Sequence, residues 1–258
     1  TQTNQVTGEL WLADQPDIPA NLVLNNTSLT TTNWLAIGRG NGDNGVVNLT
    51  ATGSTLNTVN FSTGYNNALA NNASEAHVAL HNTVWNNNGL TYLAESPGSA
   101  ADMVLTGNSK FNVTNNLLVT RDGNTQASIT LSDTSSITKT GGYTSIGTNG
   151  IGTLTVQNSA AFTSLTGDFN VSDVGTSQGI LNLKDSGVVN VTQVYIGKGS
   201  STTGTLNQTG GSFTSGSFIT VGRYTASTGT VNLSAGTFTS SGALTLGEQG
   251  AGTLNVSG

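Results

Sequence analysis

Gly204-Thr-Leu-Asn-Gln-Thr-Gly-Gly-Ser-Phe-Thr214 decides the fold, because its opening phrase keeps returning. Copies stand at Gly229-Thr-Val-Asn232 and Gly252-Thr-Leu-Asn255, with fainter ones at Gly179-Ile-Leu-Asn182 and Gly152-Thr-Leu-Thr155. Starts at 179, 204 and 229 set a step of 25 residues. A fixed period of this size means an array of one small unit stacked along an axis. It also lowers the odds of an enzyme, since a repeated unit spreads its chemistry evenly.

Two anchors carry the repeat through the chain. The first is the last apolar residue of the Leu-Asn-Leu-like tripeptide: Leu24, Leu49, Leu80, Leu105, Leu131, Val156, Leu183, Leu233 and Val256, with Gln208 in the same place. The second is the small residue closing strands such as Leu35-Ala-Ile-Gly38: Ala13, Gly38, Gly64, Ala94, Thr120, Gly147, Ser172, Gly197, Gly222 and Gly247. Between them lies a third apolar mark at Phe111, Ile137, Phe162, Val189, Phe213 and Phe238.

Within each patch apolar residues alternate with polar ones, as Leu181 and Leu183 do around Asn182. Period-two runs bounded by turn residues are strands, and no stretch carries a helical apolar stripe. The pattern predicts an all-β fold, a right-handed parallel β-helix (β-solenoid) of about ten coils with three short strands each. Gly is placed at the corners, where φ > 0 is often needed. Ten coils at about 4.8 Å make a rod roughly 45–50 Å long. Residues 1–258 read as a single domain, with a partial first coil at 1–13, a partial last coil at 252–258 and an inserted loop at 65–74. All three prolines (Pro16, Pro19 and Pro97) fall in turns, as residues that cannot donate to a ladder should.

The ends read as open coils. Leu10 and Leu12 at the start, and Leu254 and Val256 at the finish, are candidate end-stacking strands. Two explanations stand side by side: flanking sequence that caps the solenoid, or other copies docked head to tail.

Composition and motifs exclude more than they propose. Charged residues are only 8% of the chain, net charge is −6 and cysteine is absent. There is therefore no disulfide framework, thiol nucleophile or cysteine-based zinc site. No basic patch points to nucleic acid, and no apolar run reaches membrane-span length. His77 and His81 on a strand stand about 13 Å apart, too far to share a metal. Gly40-Asn-Gly-Asp-Asn-Gly45 resembles a calcium-binding turn but occurs once and reads as a tight turn. Asp133 and Asp185 recur at one place two coils apart, without the carboxylate clustering of glycosidases. A threonine row suited to ice is broken by Asn112 and Asn190. No cofactor, metal or catalytic residue is expected. Asn182, Asn207, Asn232 and Asn255 form an outward column suited to an amide ladder.

One outward face is richer. In the second-anchor strands one column runs Trp11, Ala36, Ser62, Tyr92, Leu118, Ser145, Asn170, Tyr195, Thr220 and Thr245. The column two residues earlier contains Trp34, Leu90, Tyr143, Asp168 and Phe218. Trp11, Trp34, Leu90, Tyr92, Leu118, Tyr143, Tyr195 and Phe218 form a candidate contact face, for sugar rings or for a neighbouring rod.

The phrase Tyr195-Ile-Gly-Lys-Gly, followed after four residues by Gly204-Thr-Leu-Asn-Gln-Thr-Gly-Gly-Ser-Phe-Thr214, resembles the strand repeats of large secreted bacterial proteins. Autotransporter passenger-associated repeats and the repeat regions of PEP-CTERM-sorted exported proteins are of this kind. The resemblance is good over residues 141–258 and weaker before. It implies a β-solenoid outside the cell or on its surface, acting as adhesin, matrix component or fibre, and it brings no catalytic motif. The expected function is an extracellular structural rod that assembles with copies of itself, end to end or laterally. The alternatives are an adhesin stalk binding polysaccharide and, third, a β-helical carbohydrate-active enzyme.

Overall fold

The computed structural model describes residues 2–14, 18–39, 45–65 and 74–258. Every regular element among them is a strand, and every pairing is parallel to the strand one coil away. The result is a β-solenoid of about ten coils with three faces. The first face carries strands such as Ala100–Thr106 and Gln178–Leu183, the second Lys110–Val113 and Ser136–Lys139, the third Trp34–Ile37 and Leu117–Val119. In later coils the first two faces merge, as in Thr203–Ser215 and Thr228–Ser240, where the strand runs through the corner.

Alternation fills the interior. Val78, Met103, Ile129, Leu154, Leu181 and Leu206 pile in register on the first face, all fully buried. On the second face Leu56, Trp85, Phe111, Ile137, Phe162, Val189 and Phe213 do the same. The Trp85 ring packs edge-on to Phe61 at 4.5 Å and lies 5.0 Å from Phe111. Its indole N–H donates to Thr58 Oγ1 at 2.9 Å, so burying the polar end costs little.

All ten second-anchor residues adopt positive φ, from 51° at Ala94 to 75° at Gly147. These are the corners where the chain leaves the third face. Thr120 (φ 66°) holds the same conformation despite its branched Cβ. The glycine of the Gly-Thr-Leu-Asn phrase has a different job from the expected one. Gly204 lies outside the left-handed region, and a Cβ there would meet Gly197 N at 2.2 Å and Val171 O at 2.3 Å. It is small because the phrase passes against the preceding corner. In earlier coils the same register holds Ala127, Ala101, Ala76 and Val47, which is why the phrase fades toward the N-terminus.

One anchor is corrected. Leu24 pairs with Ala51, and Ala51 with Leu80, so the first-anchor column passes through Ala51, not Leu49. Leu49 sits one rung earlier, opposite Leu22 and Val78. The chain inserts extra residues in two successive turns, so counting a single insertion shifts the frame by two. The expected loop at 65–74 falls mostly on residues 66–73, and the Gly40–Gly45 turn on 40–44, both outside the described residues.

The asparagine ladder expected on the first face is present. Asn207 Nδ2 donates to Asn182 Oδ1 at 3.0 Å, Asn232 to Asn207 at 2.9 Å and Asn255 to Asn232 at 2.8 Å. Asn57, Asn86 and Asn112 form a second ladder on the second face. Asp133 and Asp185 are corner residues with positive φ, and their carboxylates accept the N–H of Gly107 at 2.7 Å and of Asn158 at 3.1 Å.

Candidate functional site

The third face is a groove. Its middle column points outward by alternation, yet seven of its ten residues are covered: Ala36, Ser62, Leu118, Ser145, Asn170, Tyr195 and Thr220 are buried. The sequence reading had this column projecting as a contact face. Two flanking columns wall it in. One is the column containing Glu9, Trp34, Leu90, Tyr143, Asp168 and Phe218. The other follows each left-handed corner: Asp14, Arg39, Tyr65, Glu95, Arg121, Thr148, Asp173, Lys198, Arg223 and Glu248. The corner turns the chain sharply, so the next side chain folds back over the face just completed.

That second wall was missed from the sequence. Eight of its ten positions are charged, and they include every arginine in the chain. In a chain with 8% charged residues that concentration was the available signal.

Between the walls, charges pair and cations lie over aromatic rings. Arg39 bonds Glu9 at 3.0 Å and sits 3.8 Å from the Trp11 ring centroid. Arg121 is paired with Glu95 and lies 4.9 Å from the Tyr92 ring. Arg223 lies 4.4 Å from the Tyr195 ring. Such contacts are worth about 0.5–2 kcal/mol each, depending on desolvation. Burial raises the Glu95 carboxyl above the ordinary value, against the Ser62 hydrogen bond and Arg121, which lower it. Burial likewise raises the phenols of Tyr92, Tyr143 and Tyr195.

Two hollows open along the groove. The first is a cleft of about 170 Å³ over the small floor residues Ala36 and Ser62, between Trp34 and the Arg39–Tyr65 wall, with Glu9 and Glu95 at its ends. Tyr92, outside the lining of this cleft, stands 6.1 Å from Trp34 with its ring tilted. The second is more open and lies farther along, bounded by Tyr143, Asp168, Asp173 and Lys198.

The candidate face therefore assembles, but unevenly. Trp11 is the most exposed at 43%, Trp34, Leu90, Tyr92, Tyr143 and Phe218 are half-buried, and Leu118 and Tyr195 serve as floor. Tyr195 packs on Phe218 at 5.5 Å. Of the candidate end strands, Leu12 is buried, Leu10 and Leu254 are half-buried and Val256 is 72% exposed. Leu12, Leu10 and Leu254 pack with the core columns of the repeat.

Elsewhere, His77 bonds Asp102 and lies 3.5 Å from Glu75, while His81 bonds Thr106 at 3.0 Å. Among the described residues no group of three or more His, Cys, Asp or Glu side chains is placed to hold a metal ion. Among the described residues no helix is long and apolar enough to cross a membrane.

Comparison with models of known families, with curated proteins and with solved structures finds no match to this chain.

Proposed function

We propose that this chain is an extracellular or cell-surface β-solenoid rod that holds a neutral polysaccharide lengthwise in its third-face groove, as an adhesin stalk does. The observation that carries the reading is the first cleft. Trp34 offers an aromatic wall beside a floor kept small by Ala36 and Ser62, with Tyr65 opposite and charged groups at the edges. An aromatic platform ringed by hydrogen-bonding groups suits a sugar ring, apolar on its face and polar at its rim. One coil rises about 4.8 Å, close to the length of one pyranose unit, so successive coils meet successive sugars. The groove carries six carboxylates (Glu9, Asp14, Glu95, Asp168, Asp173, Glu248) against four cations, which disfavours acidic polysaccharides and nucleic acid. The extracellular placement rests on the resemblance to secreted strand repeats.

Affinity electrophoresis through gels containing neutral or acidic polysaccharides tests this. The expected result is retardation by at least one neutral polysaccharide, lost in Trp34→Ala, whose thermal transition stays near wild type. Equal mobility in every gel would defeat the reading. The other reading, a rod that polymerises end to end, is favoured by the exposed Leu244, Leu246 and Val256 of the last coil. A further coil of the same chain covers these residues as well as a second copy would, and electron microscopy of the native material separates the two.

A further inference from the structure

Behind the residues that line the second hollow, and outside that lining, stand buried polar groups the first cleft lacks. Asn170 is 0% exposed, and neither its Oδ1 nor its Nδ2 has a hydrogen-bond partner in the protein. The hydroxyl of Ser145, its register partner one coil earlier, is equally buried and unpartnered. Phe169 and Val171 point into the core, so Asn170 points into the groove. Leaving such groups unpaired costs their full desolvation. Asp168 and Asp173 flank Asn170 on the two walls of its own coil, and Lys198 Nζ joins them, at 3.2 Å and 3.1 Å. The carboxylates offset the effect of burial and hold this ammonium above the ordinary lysine pKa. The ammonium is therefore charged at neutral pH. Tyr143 forms the adjoining wall and gives the hollow an aromatic side.

We infer that this hollow is a second, hydroxyl-reading sugar subsite, which extends the neutral-polysaccharide reading of the groove and rests on it. A hexose lies against Tyr143, and two neighbouring hydroxyls of its ring pair with the Asn170 carboxamide, one donating to Oδ1 and one accepting from Nδ2. Ser145 completes the set. Lys198 releases one carboxylate to admit the sugar and then donates to it. The first cleft recognises a ring by stacking; the second recognises the arrangement of its hydroxyls, and this sets which neutral glycan binds. About four coils separate the two, so ligands of about five sugars or more occupy both.

Calorimetric titration with neutral hexasaccharides (β-1,4-glucan, β-1,3-glucan, α-1,4-glucan and β-1,4-mannan), each also fully O-methylated, tests the subsite. At least one unmodified hexasaccharide should bind. Asn170→Val should weaken it tenfold or more with no fall in thermal midpoint, because valine suits a strand and removes two unpaired groups. O-methylation, which needs no variant, should cost wild type a similar factor. If Trp34→Ala abolishes binding while Asn170→Val and O-methylation leave it unchanged, the subsite is wrong and the groove reading stands. A fall of several degrees in Asn170→Val would make Asn170 a structural residue and also overturn the subsite. If wild type binds none of the panel, both readings fall.

Discussion

Asn207 and Asn170 are asparagines in the middle of strands, each pointing away from the core of the same solenoid, and their situations are opposite. Asn207 stands between Asn182 and Asn232, and each amide donates to the one before it. Asn170 stands between Ser145 and Tyr195, neither of which bonds it, although it is the more deeply buried of the two. Where the repeat is faithful, identical neighbours one coil apart satisfy one another, and the face is inert. Where it lapses, on the third face, residues differ from coil to coil, and that variation produces hollows, charge pairs and unpaired groups. Chemistry in this molecule collects where the period breaks.

The largest test removes what both faces share. Trp85→Ala should cost about 3–5 kcal/mol, because the indole is fully buried between Phe61 and Phe111. Chemical denaturation should show one transition lowered for the whole rod; a groove that melts separately from the ladder face would break the comparison into two units.

Lys139 sharpens it from the interior. This side chain is buried, donates to the Gly141 carbonyl, and burial lowers its pKa to about 8. The unfolded chain, with an ordinary lysine, binds more protons between about pH 8 and 10.5, so Lys139 contributes stability that rises with pH from about 8, opposed toward pH 10 by the raised phenols of Tyr92, Tyr143 and Tyr195. Lys139→Met should stabilise the fold at pH 7 by about 1–3 kcal/mol and abolish this rise. Melting curves from pH 7 to 10.5 check both.

A smaller effect is expected on the ladder. Asn207→Ala strands the Oδ1 of Asn182 and the Nδ2 of Asn232 and should cost about 1 kcal/mol, with solvent softening the loss at this half-exposed face. The contrast with Asn170→Val, where no loss is expected, is the comparison in its most direct form. Equal losses at the two positions would erase it.

The sequence was legible where physics repeats. The second-anchor column runs through Ala, Gly, Thr and Ser without a consistent chemical type, yet all ten members are left-handed corners. Spacing, small size and the strand before them found them. The asparagine ladder followed from residues of one kind at one interval. The groove was not legible because it depends on how sharply a left-handed corner folds the next residue back, a tertiary effect without a strand period. Alternation correctly turned Leu118 and Tyr195 outward but could not show that outward here means enclosed. Lys139 occupies an inward position by the same alternation, and nothing in its local sequence announces a buried cation. The Leu49 slip arose where extra residues fall in adjacent turns and only the ladder itself fixes the register.

The central claim is that the third face, and not the ladder face, meets a neutral polysaccharide. Titrating isotopically labelled protein with the best-binding neutral hexasaccharide and following amide and side-chain resonances tests it directly. The account predicts shifts running along Trp34, Tyr92, Tyr143 and Tyr195, with Asn182, Asn207 and Asn232 unmoved. Shifts confined to the ladder face, or none on the third face at saturation, would contradict it.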